Sequence, residues 1–231
     1  MLPQKKRYAE LFARYSHTSL TPLLEQWFFF MLDRFGHQQW WPAESPFEVA
    51  VGAILTQNTS WKNVEKAIAN LKREELLDSK RLLELHRDEL AALIRPAGYY
   101  NIKAERLQNF LRLLQQKFSG DITTMRGIAL DELRQILLSV KGIGPETADS
   151  ILLYALDFPV FVIDAYTMRI LARHDLIDGD TDYHQAQAIF MDNIPVDAAL
   201  FNEYHALFVA LGKDHCRARK MLCSGCPLEA T

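Results

Sequence analysis

No apolar stretch of this chain is long enough to cross a bilayer. The longest strongly apolar runs, at 27–32 and 47–55, fall well short of the ~20 residues a membrane helix needs. Glycine and proline are sparse as well. With 10 Gly and 9 Pro in 231 residues, collagen-like and low-complexity architectures are excluded. Three cysteines are too few for a disulfide-stapled scaffold, and all three lie between positions 216 and 226. Positive charge is not in excess either. Lys and Arg number 26 against 29 Asp and Glu, a formal charge of −3, so contact with nucleic acid has to come from local patches and backbone amides. The opening MLPQKKRYAELFARY has no long apolar core and no cleavage site of a secretion signal. These absences predict a cytoplasmic protein with no membrane partner.

What the chain has in quantity is hydrophobic residues, 49% against 24% charged, which excludes disorder and fills one large domain or two small ones. Their spacing is helical. Phe47, Val51, Ile54 and Leu55 share a face, as do Leu107, Phe110, Leu111 and Leu114, and Leu200, Tyr204, Leu207, Phe208 and Leu211. Short breakers separate the segments, among them Trp41-Pro42, Arg95-Pro96-Ala97-Gly98 and Gly142-Ile143-Gly144-Pro145. Connections this short fit an all-α protein of roughly ten helices. Phe158–Ile163 is β-like in composition but has no strand partner, and reads as a buried extended linker. Trp27 and Phe28–Phe30 read as core.

The most informative stretch is Leu137–Ser150. A helix ends near Val140, two glycines open a tight turn, and Pro145 suits the first position of a second helix. Ile143 plugs this turn into the core. The amides at such a helix start can hold a phosphate oxygen without side-chain charge, which is how an acidic protein can bind DNA. About twenty residues on, Asp164 ends the apolar run Val160–Ile163 and opens another helical pattern. An Asp there serves as an N-cap. The same position can present a pre-oriented carboxylate at the mouth of a cleft.

Together these features resemble the endonuclease III superfamily of helix-hairpin-helix DNA glycosylases. The resemblance runs from about Trp27 to Thr231 and rests on Leu55-Thr56-Gln57-Asn58-Thr59, Gly98-Tyr99-Tyr100-Asn101, the hairpin, Val162-Ile163-Asp164 and the cysteines. It implies an all-α, two-domain fold with a central cleft. A six-helix domain over 39–160 would carry the hairpin at 140–145. Residues 1–38 and 161–231 would form the second, discontinuous domain. It further implies that damaged double-stranded DNA is the partner and that the target nucleotide is flipped into the cleft. Asp164 would stabilise positive charge on the sugar as the glycosidic bond breaks. Gln57 would fill the hole left in the duplex, Tyr99 would wedge against the opposite strand, and Gly142 and Gly144 would meet phosphate. Lys103, Lys141 and Lys213 are further phosphate candidates. A monovalent cation at the hairpin also belongs to this expectation. With no coiled-coil seam in view, a monomer is expected.

Two departures and one aromatic pair sharpen the reading. The endonuclease III branch proper has a Lys two residues after the last hairpin Gly, which forms a Schiff base and cuts the strand. Glu146 stands there in this chain. A carboxylate cannot form an imine, so the resemblance implies a monofunctional glycosylase that leaves the strand intact. Trp40 and Trp61, 21 residues apart, with Trp41-Pro42 and Leu55–Thr59 between, are similar to the 3-methyladenine glycosylase branch, which stacks the flipped base between two aromatics. An electron-poor, cationic alkylpurine suits indole faces. Trp40, Trp61, Trp41 and Glu146 are therefore the expected base pocket. The second departure is at the C-terminus. Cys216-x6-Cys223-x2-Cys226 looks like the superfamily's four-cysteine [4Fe–4S] motif, whose fourth Cys would fall at position 232, one past Thr231. The expectation is a cluster in an intact protein of which this C-terminus is trimmed. A zinc site completed by His215 is disfavoured, because adjacent His215 and Cys216 point apart. Alternative readings are excision of another lesion or mismatch on the same fold, a strand-cutting lyase, and a non-catalytic helix-hairpin-helix module that senses damage.

Overall fold

Helix starts in this chain are set by local chemistry. Ser45, Asp78, Asp164, Asp182 and Asp197 each accept a hydrogen bond from a backbone N–H two or three residues on. Pro46 and Pro145 occupy first turns, where a missing N–H costs nothing. The structure, a computed structural model, describes residues 3–229. Its helices in chain order are α1 (Pro3–Ala13), α2 (Thr21–Phe35), α3 (Pro46–Leu55), α4 (Trp61–Arg73), α5 (Ser79–Glu84), α6 (Arg87–Leu93), α7 (Tyr100–Phe118), α8 (Leu130–Leu138), α9 (Pro145–Ser150), α10 (Ala165–Arg173), α11 (Tyr183–Met191) and α12 (Ala198–Asp214). Two 3₁₀ turns lie at Arg95–Ala97 and Ile122–Gly127, and α9 runs on into a π-helical stretch at Ile151–Ala155.

The protein is all-α, with no strand among the described residues. It has twelve α-helices there instead of roughly ten. One cause is at Leu85–His86, where Leu85 turns extended and His86 begins a new capping box, splitting 79–93 into α5 and α6. The chain divides into two compact units, Trp41–Phe158 and Met1–Trp40 with Pro159–Thr231. The first begins and ends two residues inside the expected 39–160. It carries seven α-helices, α3 to α9, where the resemblance implies six.

In the central unit α7 is the organising helix, packed by α3, α5 and α6. Leu107, Phe110, Leu111 and Leu114 line its buried side. Helices α8 and α9, which flank the hairpin, are joined by a bidentate ion pair. Arg134 Nε and Nη2 donate to Asp149 Oδ1 and Oδ2 at 2.7 and 3.1 Å, and Asp149 is fully buried. The other unit has an aromatic core. Phe161 stacks on Phe190 with centroids 3.9 Å apart, Tyr204 stacks on Phe208 at 5.1 Å, and the Tyr204 hydroxyl donates to Leu24 O. Trp27 and Phe28 belong to this core, but Phe30 is 40% exposed, because a run of adjacent aromatics on a helix cannot all face one side. The segment 160–163 is buried and without regular structure, so the aromatic core fixes the approach to Asp164.

The Arg134–Asp149 pair predicts an asymmetric stability effect. Asp149→Ala leaves a buried guanidinium uncompensated and should cost about 3–5 kcal/mol in urea denaturation. The double change Arg134→Met with Asp149→Leu should recover most of that loss. Single-variant losses below about 1 kcal/mol would contradict it.

Candidate active site

The hairpin is bounded by the end of α8 at Leu138 and the start of α9 at Pro145. Gly142 has φ +98°, in the region that favours glycine, and a Cβ there would lie 2.3 Å from Arg106 Cγ. Gly144 differs from expectation. It is extended (φ −96°, ψ 179°), so its backbone would admit other residues, and a Cβ there would meet nothing within 4 Å. Ile143 is buried, as the plug role requires. The Gln57 side chain lies on this turn. Its Nε2 donates to Gly142 O at 3.1 Å and Thr147 Oγ1 at 2.8 Å, and its Oε1 accepts from the Arg106 guanidinium. Lys141 is exposed and pairs with Glu105 at 3.0 Å, while its carbonyl accepts from Asn109 Nδ2.

Lys103 does not fit the role of a phosphate contact. It is 1% exposed, and its Nζ donates to Leu55 O at 2.8 Å and Ala97 O at 2.7 Å. Those carbonyls lie at the end of α3 and in the 3₁₀ turn, where helix geometry leaves acceptors unfilled. Burial, and then the nearby Arg106 charge, push its pKa down to about 8. Periodicity could not reveal this, since a Lys one turn into a helix normally reads as solvated. Tyr99 is 68% exposed and has φ +45°, a strained conformation for a bulky side chain. Lys213 is exposed in the last turn of α12.

Within the central unit Trp41 meets Trp61 edge to face, with centroids 4.9 Å apart and planes at 86°. Trp41 also packs on Tyr154 at 5.2 Å. Gly52 underlies both indoles. A Cβ on it would sit 3.2 Å from Trp41 Cζ2 and 3.4 Å from Trp61 Cη2. All three aromatic rings are half-buried. An edge-to-face pair leaves no parallel slot between its rings, so a planar guest would stack on an outer face. The sequence reading paired Trp61 with Trp40, which belongs to the other unit, and placed Trp41 second. It missed Tyr154, whose only signal was an aromatic after Ile151-Leu152-Leu153. Glu146 is exposed in the first turn of α9, where an acid favours the helix dipole.

Asp164 caps α10. Its Oδ1 accepts from Thr167 N at 2.7 Å and Thr167 Oγ1 at 2.9 Å. Its Oδ2 lies 3.7 Å from Nε2 of His205, a buried residue of α12 that the sequence reading did not single out. Burial acts to raise the pKa of Asp164. The His205 charge and the two Thr167 donors outweigh it, and the carboxyl is held below its ordinary range. The result is a fixed carboxylate that can stabilise a neighbouring cation.

Cys216, Cys223 and Cys226 line one cavity of about 280 Å³, together with His174, His215 and Glu229. The thiols sense each other. Burial and then the neighbouring Cys223 and Cys216 push the Cys226 pKa up. Arg173 Nη1 donates to Cys216 Sγ at 3.1 Å. Among the described residues no three His, Cys, Asp or Glu side chains are grouped to hold a single metal ion. A set of thiols around one space suits a multi-iron cluster better, since its ligands bind separate irons.

Residues 51–196 match the family model of the HhH-GPD superfamily of base excision DNA repair proteins. The chain is 51% identical over 201 residues to a candidate DNA repair glycosylase of Methanocaldococcus jannaschii, covering 86% of this chain and 90% of that protein. It is 28% identical over 194 residues to endonuclease III of Thermotoga maritima, covering 80% and 81%. Among solved structures, Helicobacter pylori 3-methyladenine DNA glycosylase bound to 1,N6-ethenoadenine is similar with a TM-score of 0.69 and 28% identity, over 85% of this chain and 98% of that one. A trapped endonuclease III–DNA covalent intermediate shares the fold with a TM-score of 0.78 and 22% identity, over 90% and 93%. The chain belongs to the HhH-GPD superfamily and is a DNA glycosylase of base excision repair.

The buried ammonium has a measurable consequence. The folded state lowers the pKa of Lys103, so the unfolded chain binds the extra proton between pH about 8 and the usual 10.5. The contribution of Lys103 to stability is therefore fullest above pH 10.5 and declines as the pH falls through that window. The difference in unfolding free energy between wild type and Lys103→Met should grow as the pH rises from 8 to 10.5. A difference that stays constant would refute the assignment.

Proposed function

We propose that this protein is a monofunctional DNA glycosylase that releases alkylated purines such as 3-methyladenine from damaged duplex DNA and acts as a monomer. The observation that carries the substrate class is the half-exposed cluster of Trp41, Trp61 and Tyr154 over Gly52. A flipped, cationic base gains from aromatic faces, about 0.5–2 kcal/mol or more for a desolvated cation–π contact. The glycosidic bond of such a base is already weakened, so no strong general acid is required. The likeness to a 3-methyladenine glycosylase supports the same reading.

Asp164 is the proposed catalytic carboxylate. Its position at the start of α10 fixes one oxygen on Thr167 and leaves the charge available to an oxocarbenium-like sugar. Glu146 supports the absence of lyase chemistry, because the position carries no amine to form an imine with the sugar. Gln57 and Tyr99 are proposed to meet the duplex at the vacated position and the opposite strand. The hairpin amides, Lys141 and Lys213 are proposed to meet phosphate, and a monovalent cation at the hairpin belongs to the same reading. Cys216, Cys223 and Cys226 would hold a [4Fe–4S] cluster. When bound, the cluster would supply a covalent cross-link through the segment 216–226.

The test is base release from methylated duplex DNA, resolved by chromatography, with strand integrity scored before and after alkali. The expected result is free 3-methyladenine and strand breaks only after alkali. Asp164→Asn should abolish release while duplex affinity stays within about threefold of wild type. Strand breaks without alkali, or a borohydride-trapped covalent adduct, would overturn the monofunctional reading. Release of a different base, with none from methylated DNA, would overturn the substrate class.

A further inference from the structure

Helix α12 is apolar along the stripe Leu200, Tyr204, Leu207, Phe208 and Leu211, yet it buries two ionisable residues, Glu203 at 1% and His205 at 6% exposure. Ionisable groups are seldom buried without a specific counterpart. For Glu203 the counterparts are the His37 ring and the Gln38 N–H, which donates at 2.8 Å. For His205 the group opposite is the Asp164 carboxylate, Nε2 to Oδ2 at 3.7 Å, with both side chains nearly enclosed. The two Asp164 oxygens are therefore unequal. Oδ1 is committed to the backbone and hydroxyl of Thr167, and Oδ2 is the oxygen that faces His205. The imidazole is itself held edge-on to Phe161 at 6.5 Å, in the segment that leads to Asp164.

Resting on the assignment of Asp164 as the catalytic carboxylate, we propose that His205 is a positioning residue for the glycosylase reaction, fixing the orientation of Asp164 Oδ2 and keeping the carboxylate ionised inside an apolar wall. Thr167 alone anchors one oxygen and leaves rotation about that anchor open. A second contact from α12 closes it. The other ionisable groups on the elements packed here are engaged elsewhere. Glu203 is held by His37 and Gln38, and Tyr204 by Leu24 O. Arg169 is held by the Cys216 and Ala165 carbonyls, and the Tyr183 hydroxyl accepts from the Ile163 N–H. His205 is thus the cationic partner set against this carboxylate, consistent with its part in lowering the Asp164 pKa.

The experiment compares wild type, His205→Leu and His205→Gln, the last keeping a donor near the position of Nε2. Two readouts are taken: the single-turnover rate of base release from methylated duplex DNA across pH, and an NMR titration of the ¹³C-labelled Asp164 carboxyl. His205→Leu should lower the rate by about 10–100-fold, the order expected of a misplaced catalytic group, with duplex affinity unchanged. Its Asp164 titration and the acid limb of its rate profile should both move to higher pH. His205→Gln should restore the rate to within about tenfold of wild type. An Asp164 titration unchanged in His205→Leu would overturn the proposal, whatever the substrate proves to be. So would a rate loss that glutamine does not relieve and that leaves the acid limb in place. If Asp164→Asn stays active, the catalytic assignment of Asp164 falls. If Asp164→Asn is inactive while His205→Leu reacts at the wild-type rate, only the role of His205 falls.

Discussion

One buried ammonium holds the working end of the central unit together. Lys103 Nζ bridges Leu55 O and Ala97 O, the last carbonyls before Thr56-Gln57 and before Gly98-Tyr99. Both turns proposed to meet DNA therefore leave from a single cation on α7. The same helix continues the task on its next turns. Arg106 holds Gln57 and packs over Gly142, Glu105 pairs with Lys141, and Asn109 donates to the Lys141 carbonyl. Three loops far apart in sequence are thus indexed to one rigid rod. A loop anchored this way keeps its shape without a core of its own, which a surface segment could not otherwise do.

The arrangement also accounts for an acidic chain working on a polyanion. Several of its cations are spent internally. Lys103 is enclosed, Arg134 serves Asp149, and Arg169 and Arg173 serve carbonyls of the cysteine segment. What remains for DNA is largely shape and main-chain amide, which the hairpin supplies through Gly142 and the N-terminus of α9. Binding of this kind is less dependent on net charge than a basic patch would be, since amide dipoles do not titrate.

The features readable from sequence were those encoded within a few residues. The Gly-x-Gly-Pro turn, the Asp that opens a helix, the buried run before it and the cysteine spacing each carry their meaning locally. What stayed hidden depends on where chain segments meet. Lys103 looks like any helical lysine until Leu55 and Ala97 arrive beside it. His205 sits on an apolar stripe as a polar interruption, and only the approach of α10 gives it a partner. The choice of Trp41 to pack on Trp61 turns on a backbone path through 36–45 that has no periodicity to read. Gly144 shows the converse error, because a glycine was credited with conformational need where its backbone is ordinary.

The π-helical stretch at Ile151–Ala155 has a consequence for how this aromatic cluster can change over evolutionary time. A π turn holds one residue more than the α turn it replaces. Deleting a single residue there would restore regular geometry, but it would also rotate everything beyond it by about 100° relative to Ala148 and Asp149. Tyr154 would leave Trp41 while the hairpin anchor stayed in place. The cluster can thus be assembled or dismantled by loss or gain of one codon, a coarser step than any point substitution and one that leaves the phosphate-facing turn intact.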